Sequence, residues 1–266
     1  MPPAPASGVA VVTGGARGFG HEIARRLVSR GHDVIVTDLD ADALGPAAAA
    51  IGATGLVADA RRVEDHRKVA AEAAGRGRLT VWVNNAGVAH AGRSWEQADA
   101  DVERTVEVNL LGVVHGSRVA VDAMRGHGGH IVNIASMSGL GPVPGLSVYA
   151  ATKAGVVNFT ASLQGELDLA GVPVRVHALC PHAADTALVR GAQDSADAAI
   201  LFSQRTLLTP QAVADAAVGL LDGTRIVRSM PVGWAALSRI GATMPTTGLR
   251  VLAALRAQGE KRRTRT

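Results

Sequence analysis

The sequence predicts an α/β fold, a single doubly wound parallel sheet of about seven strands with helices on both faces. Short β-rich runs alternate with helical stretches along the chain, as βαβ units require. Hydrophobic residues make up 47% of the 266 positions but aromatic residues only 3%, so the core must be built from Val, Leu, Ile and Ala. Such aliphatic runs suit parallel strands buried between Ala-rich helices. Glycines and polar residues also collect at one end of the strand candidates, which scattering for solubility would not produce.

The elements follow in order. Val9–Thr13 reads as the first strand, and the glycine-rich run Gly14–Gly20 leads from it into a helix over Gly20–Arg30 that Gly31 stops. Asp33–Asp38 is the second strand, followed by a helix over Ala41–Ala50 that Gly45-Pro46 weakens. Thr54–Asp59, Leu79–Asn84, His130–Ala135, Val174–Cys180 and a weaker Arg225–Met230 complete the strands. Helices are expected over Val63–Ala74, Asp101–Arg125, Val148–Ala170 (stopped by Gly171) and Gln211–Leu221. With no internal repeat and no linker-like stretch, the economical reading is one domain over residues 8–233, behind a frayed tail of residues 1–7.

Bulk properties exclude several classes. The single cysteine, Cys180, rules out an intrachain disulfide framework and fits a cytoplasmic setting. No apolar run reaches the ~18 residues of a membrane span, and the opening Met1–Ser7 has neither the basic start nor the apolar stretch of a signal peptide. Much of the net charge of +4 lies in Lys261–Arg265, a solvated tail rather than a nucleic-acid site. His90, His182 and Cys180 lack any metal-ligand spacing, so no metal is expected.

The chemistry-bearing residues fall at the carboxyl ends of strands, the edge where open α/β sheets bind ligands. Thr13–Gly20 lets a backbone approach phosphates closely, and the helix behind it offers free N–H groups. Asp38 ends the second strand, where a carboxylate can accept both hydroxyls of an adenosine ribose and repel a 2′-phosphate. Arg17 pulls the other way, because a cation in the turn could contact that phosphate; Asp40 reads as the cap of the next helix. NAD is thus favoured over NADP. Tyr149, the only tyrosine, precedes Lys153 by four residues, one turn along one helix face. A phenol titrates near pH ~10 and becomes a useful base only when a cation stabilises the phenolate.

Taken together these residues resemble the short-chain dehydrogenase/reductase family. Thr13–Gly20 meets its T-G-x-x-x-G-x-G pattern, Asn84–Gly87 its N-N-A-G, and Tyr149–Lys153 its Y-x-x-x-K. Ser136 stands thirteen residues before Tyr149, as that family's substrate-binding serine does, and Asn109 matches its fourth catalytic member. The resemblance runs from about Val9 to Thr186 and more loosely to about residue 233. It implies a Rossmann-type domain in which Tyr149 exchanges the proton of a hydroxyl or ketone while hydride moves to or from a nicotinamide. Lys153 would lower the phenol pKa and hold the nicotinamide ribose, Ser136 would orient the substrate oxygen, and Asn109 would hold a water in a proton path. It assigns Gly14, Arg17, Gly18, Phe19, Gly20 and Asp38 to the cofactor, Asp59 and Ala60 to adenine, and Asn85, Ala86, Gly87, Pro181, Ala184 and Thr186 to the remainder.

The chain departs from the family after the sixth strand, where His182 replaces the usual glycine; His182 and His90 become candidate pocket residues. Residues 187–209 are expected to form a helical lid whose Leu188, Val189, Ile200, Leu201 and Phe202 lean toward a lipophilic substrate. Residues 234–266 form a C-terminal extension, with an apolar stripe in Thr247–Gln258 that would close the pocket, meet another subunit or lie on a membrane surface. The expected activity is interconversion of a secondary alcohol and a ketone by a homodimer or homotetramer. A 3-oxoacyl thioester reductase and a non-catalytic nucleotide sensor are the alternatives.

Overall fold

The computed structural model describes residues 8–183 and 207–231, with five isolated helical positions between 243 and 253. Seven parallel strands form one sheet in the order β3-β2-β1-β4-β5-β6-β7. They are β1 (Val9–Thr13), β2 (Asp33–Asp38), β3 (Thr54–Val57), β4 (Leu79–Asn84), β5 (Gly129–Ile134), β6 (Val174–Pro181) and β7 (Val227–Met230). Strand order reverses between β1 and β4, which opens a crevice at their carboxyl ends.

Side chains alternate across the sheet and feed two cores. On one face Ala10, Val12, Val34 and Val36 pack against Ile23 and Leu27 of α1 (Gly18–Ser29), Leu44 of α2 (Ala41–Ile51) and Val213 of α7 (Pro210–Val218). On the other, Val9, Val11, Ile35 and Trp82 meet Val69 of α3 (Val63–Arg76), Met124 of α5 (Gly112–Met124) and Leu167 of α6 (Ser147–Leu169). Gly31 and Gly171 take positive φ, as helix-stopping glycines do. Pro46 does not break α2, which runs from its Asp40 cap to the left-handed Gly52.

Two boundaries differ from expectation in ways that matter to the site. β3 pairs with β2 only as far as Val57, so Asp59 lies in the following loop. The helix expected over Asp101–Arg125 is α4 (Asp99–Val106) and α5 joined by a π turn at Glu107–Leu111. That turn carries Asn109, fully buried, toward the carboxyl edge. α5 can lie close on the sheet because Gly116 has no side chain: a Cβ there would sit 2.1 Å from Asn84 Oδ1.

Candidate active site

The glycine turn is shaped by its neighbours as much as by its own residues. Gly14 and Gly18 adopt φ of +65° and +58°, which L side chains avoid. A Cβ on Gly20 would meet Gly14 O at 2.1 Å and Asn85 Nδ2 at 2.5 Å. The Asn85 amide donates to Thr13 O and Gly14 O, both at 2.9 Å, while Thr13 Oγ1 accepts from the backbone of Asn85 and Ala86. The Asn84–Gly87 run therefore latches the end of β4 to the end of β1. The first turn of α1 holds no acidic residue, and the cradle is bare backbone at a helix N-terminus. These features fit the phosphates of a dinucleotide.

Asp38 joins the same edge. Its Oδ2 accepts from Ala16 N at 3.1 Å and its Oδ1 from Asp40 N at 3.2 Å, so the carboxylate is anchored on the turn it faces. Arg17 pairs with Asp40 at the surface. Asp59 is bound by Arg61 at 2.6 Å, and that pairing holds its carboxyl below the usual carboxylate range. Ala60 O is fixed by the buried His66 at 2.8 Å, and burial pushes that imidazole's pKa down.

At the other end, Ser136 caps a 3-10 turn over Met137–Leu140, its Oγ accepting from Ser138 N at 3.1 Å. Gly139 brings that turn onto α6: a Cβ there would lie 2.6 Å from the backbone of Lys153. The Ser136 hydroxyl is thereby within hydrogen-bonding reach of the Tyr149 phenol. Lys153 Nζ lies 5.7 Å from the Tyr149 ring centroid and donates to Ile134 O at 2.9 Å. Burial depresses the Lys153 ammonium to about 8. The expectation that Lys153 lowers the phenol pKa is not met by the chain alone: burial raises the Tyr149 pKa, and the Ser136 hydrogen bond only partly opposes it. The ammonium is spent on Ile134 O and on the ring face rather than on the phenol oxygen.

Asn109 reaches this end through the π turn. Its Oδ1 accepts from Val88 N and its Nδ2 donates to Val88 O, both at 2.8 Å, which pins the segment after Gly87. Asn109 Oδ1 and Lys153 Nζ lie 3.3 and 3.7 Å from where a Cβ of Gly87 would be. One glycine thus borders both side chains. Asn84 plays a different part: its amide donates to Asn133 Oδ1 at 2.8 Å and Ser117 Oγ at 3.0 Å, and its oxygen accepts from Trp82 Nε1. It is a buried strut.

The structure places the remaining candidates unevenly. Pro181 ends β6, and His182 follows with its N–H on Met230 O at 2.9 Å. His182 Nδ1 accepts from Ala183 N at 2.7 Å, and burial lowers the ring to about 4, so it stays neutral near pH 7. His90 is tied to α4 through Thr105 Oγ1 at 3.1 Å and Asp101 Oδ1 at 3.4 Å. Phe19 packs on the first core. Ala184, Thr186 and the expected lid over 187–209 fall outside the described residues except for 207–209. The contributions of Ile134 O, His66 and Gly139 were not singled out in the sequence: Ile134 acts through its carbonyl, Gly139 through its lack of a side chain, and His66 through a side-chain bond to the backbone of Ala60, none of which falls in a motif.

Comparison with known proteins converges on the same region. A family described as short chain dehydrogenase matches residues 8–197. A 2-dehydro-3-deoxy-L-rhamnonate dehydrogenase (NAD(+)) of Sphingomonas is 40% identical over 178 residues, covering 65% of this chain and 70% of that protein. A probable oxidoreductase of Mycobacterium tuberculosis, EphD, is 37% identical over 189 residues, 67% of this chain; the chain spans only 31% of that relative's length. A short chain dehydrogenase/reductase from Burkholderia phymatum, solved in complex with NAD, superimposes with a TM-score of 0.82 at 26% identity, covering 90% of this chain and 95% of that one. The matched span holds the glycine turn, the Asn84–Gly87 latch and the Ser136–Tyr149–Lys153 cluster, and the chain belongs to the short chain dehydrogenase family.

Proposed function

We propose that this protein is an NAD-dependent oxidoreductase that interconverts a secondary alcohol and a ketone. The observation that carries the reading is the cluster at the carboxyl edge: Tyr149 with the Ser136 hydroxyl within hydrogen-bonding reach and the buried ammonium of Lys153 5.7 Å from its ring centroid. A half-buried phenol beside a buried hydroxyl and a buried ammonium, at the same sheet edge as the glycine turn, is more than a binding module needs.

The residues divide the chemistry between them. The Gly14–Gly20 turn would hold the pyrophosphate, Asp38 the adenosine ribose, Asp59 and Ala60 the adenine, and Lys153 the nicotinamide ribose. Bound NAD supplies the hydride acceptor and a positive charge. Ser136 donates to the substrate oxygen and fixes its position. Tyr149 takes the hydroxyl proton in oxidation and returns it in reduction. Lys153, held by Ile134 O and 5.7 Å from the ring centroid, has no bond to the phenol oxygen and would join the positive charge of bound NAD in stabilising the phenolate through space. Asn109 keeps the segment after Gly87 in register with Lys153. The apolar residues at 188, 189 and 200–202 favour a lipophilic substrate, and the family together with the long helical stretches over 101–125 and 148–170 favours a homodimer or homotetramer.

A panel of secondary alcohols and ketones offered with NAD(H), followed by the absorbance of reduced nicotinamide and by product analysis, tests the assignment. Reversible alcohol–ketone turnover is the expected result. Tight NADH binding with no turnover across the panel would favour a sensor instead.

A further inference from the structure

We infer that Asp40 is a specificity-determining residue, which disfavours NADP by engaging Arg17, the guanidinium that would otherwise pair with a 2′-phosphate. The inference rests on the cofactor reading above and concerns how the chain chooses between two nucleotides that differ by one phosphate.

The hydrogen bonds at the end of β2 divide the work between two carboxylates. Each oxygen of Asp38 accepts one backbone N–H, from Ala16 and from Asp40, which turns this carboxylate toward the glycine turn. Asp40 is placed by that second bond, and its own Oδ1 accepts from Ala43 N as the cap of α2. Its Oδ2 is the atom that takes Arg17 Nη2. Arg17 has no capping bond of its own at the start of α1, and its side chain is 59% exposed, so among the described residues Asp40 is what fixes its direction.

Charge makes the consequence. A 2′-phosphate carries about −1.5 to −2 at neutral pH and would arrive between Asp38, Asp40 and Arg17. Two carboxylates and one guanidinium leave that corner negative. The Arg17 guanidinium can bind a phosphate through two N–H donors, and its pairing with Asp40 competes with that use. An exposed pair of this kind adds little to stability. Its effect is on which anion Arg17 meets. NAD, with a ribose hydroxyl in that place, needs only Asp38.

Asp40→Asn separates the two jobs of the side chain, because asparagine caps a helix as well as aspartate does but carries no charge. Dissociation constants for NADPH and NADH, read from nicotinamide fluorescence or calorimetry on the full chain, give the discrimination ratio without relying on turnover. In Asp40→Asn the ratio should move about tenfold toward NADPH, equivalent to about 1.4 kcal/mol. Asp40→Glu should keep the original preference, and Asp40→Ser, which also caps, should follow Asp40→Asn. In an Arg17→Ala background the shift should largely vanish, because the effect passes through Arg17. An unchanged ratio in Asp40→Asn, or an equal shift with Arg17 absent, overturns the inference while leaving the NAD reading intact. A wild-type chain that binds neither nucleotide overturns both.

Discussion

At the scale of single residues, the site sets two pKa values against each other. Burial raises Tyr149 and lowers Lys153 to about 8, so at neutral pH the free chain holds a protonated phenol beside an ammonium that is only moderately acidified. Alcohol oxidation needs the phenolate, and below a raised pKa the phenolate fraction grows about tenfold per pH unit. The kcat/KM for oxidation should therefore climb through the alkaline range, whereas ketone reduction, which uses the protonated phenol, should stay flat from neutral pH until the phenol titrates. A flat oxidation profile would contradict the role of Tyr149. Gly20 is constrained by space instead, since a Cβ there would sit 2.1 Å from Gly14 O. Gly20→Ala should cost about 1–3 kcal/mol of stability and weaken NADH binding, both readable from denaturant titration and cofactor fluorescence. The Tyr149–Lys153 spacing was legible in the sequence because helical period alone puts the two on one face. The partner of the ammonium was not, because Ile134 offers a carbonyl that any residue would carry.

Among the elements, the least visible device is the buried polar chain beneath β4 and β5. Trp82 Nε1, Asn84, Ser117, Asn133 and Thr160 are joined by bonds of 2.8–3.0 Å, and all five residues are buried. Asn84→Leu would strand the Trp82 N–H in the core, at about 1–3 kcal/mol for an unsatisfied group, and would leave the Asn133 oxygen with only Ser117 Oγ as donor, at 3.3 Å. Thermal or denaturant unfolding should register a loss of about 2–5 kcal/mol in total, a far larger effect than on the affinity for NADH. The strands themselves were readable to within a residue or two, as were Gly31 and Gly171 as stops. The π turn at Glu107–Leu111 was not, since one extra residue in a turn shifts the apolar phase too little to show against a 3.6-residue period. It decides where Asn109 points, so the sequence offered the residue without its bonds to Val88.

Across the whole molecule the histidines tie stability to pH. His177 Nδ1 faces Arg225 O at 2.8 Å and must donate, which leaves its Nε2 to accept from His130 Nδ1 at 3.1 Å. The bond between the rings requires His177 to be neutral with its proton on Nδ1, since a protonated Nε2 could not accept from His130. Burial and the neighbouring ring lower His130 to about 4, and burial alone lowers His182 to about 4. Between pH 6.5 and 4 the unfolded chain takes up these protons while the folded chain does not, so stability is full above pH 6.5 and falls as pH drops toward 4. Each group can add at most about 1.4 kcal/mol per pH unit, less here because neither ring is wholly enclosed. Denaturation midpoints measured across that window should fall steeply, and His130→Gln should flatten the fall. The parallel sheet and its carboxyl edge were legible from the alternation of elements. The order of the strands was not, because their pairing depends on contacts between segments far apart in sequence.

The most direct test of the central claim compares wild-type protein with Tyr149→Phe, which keeps the ring and removes only the hydroxyl. Reduction of NAD by a secondary alcohol that the wild type accepts is followed through the absorbance of NADH, with NADH affinity measured alongside. Turnover should fall by at least about 10²-fold while NADH still binds within a few-fold of wild type. Turnover that survives the loss of the hydroxyl would contradict that claim.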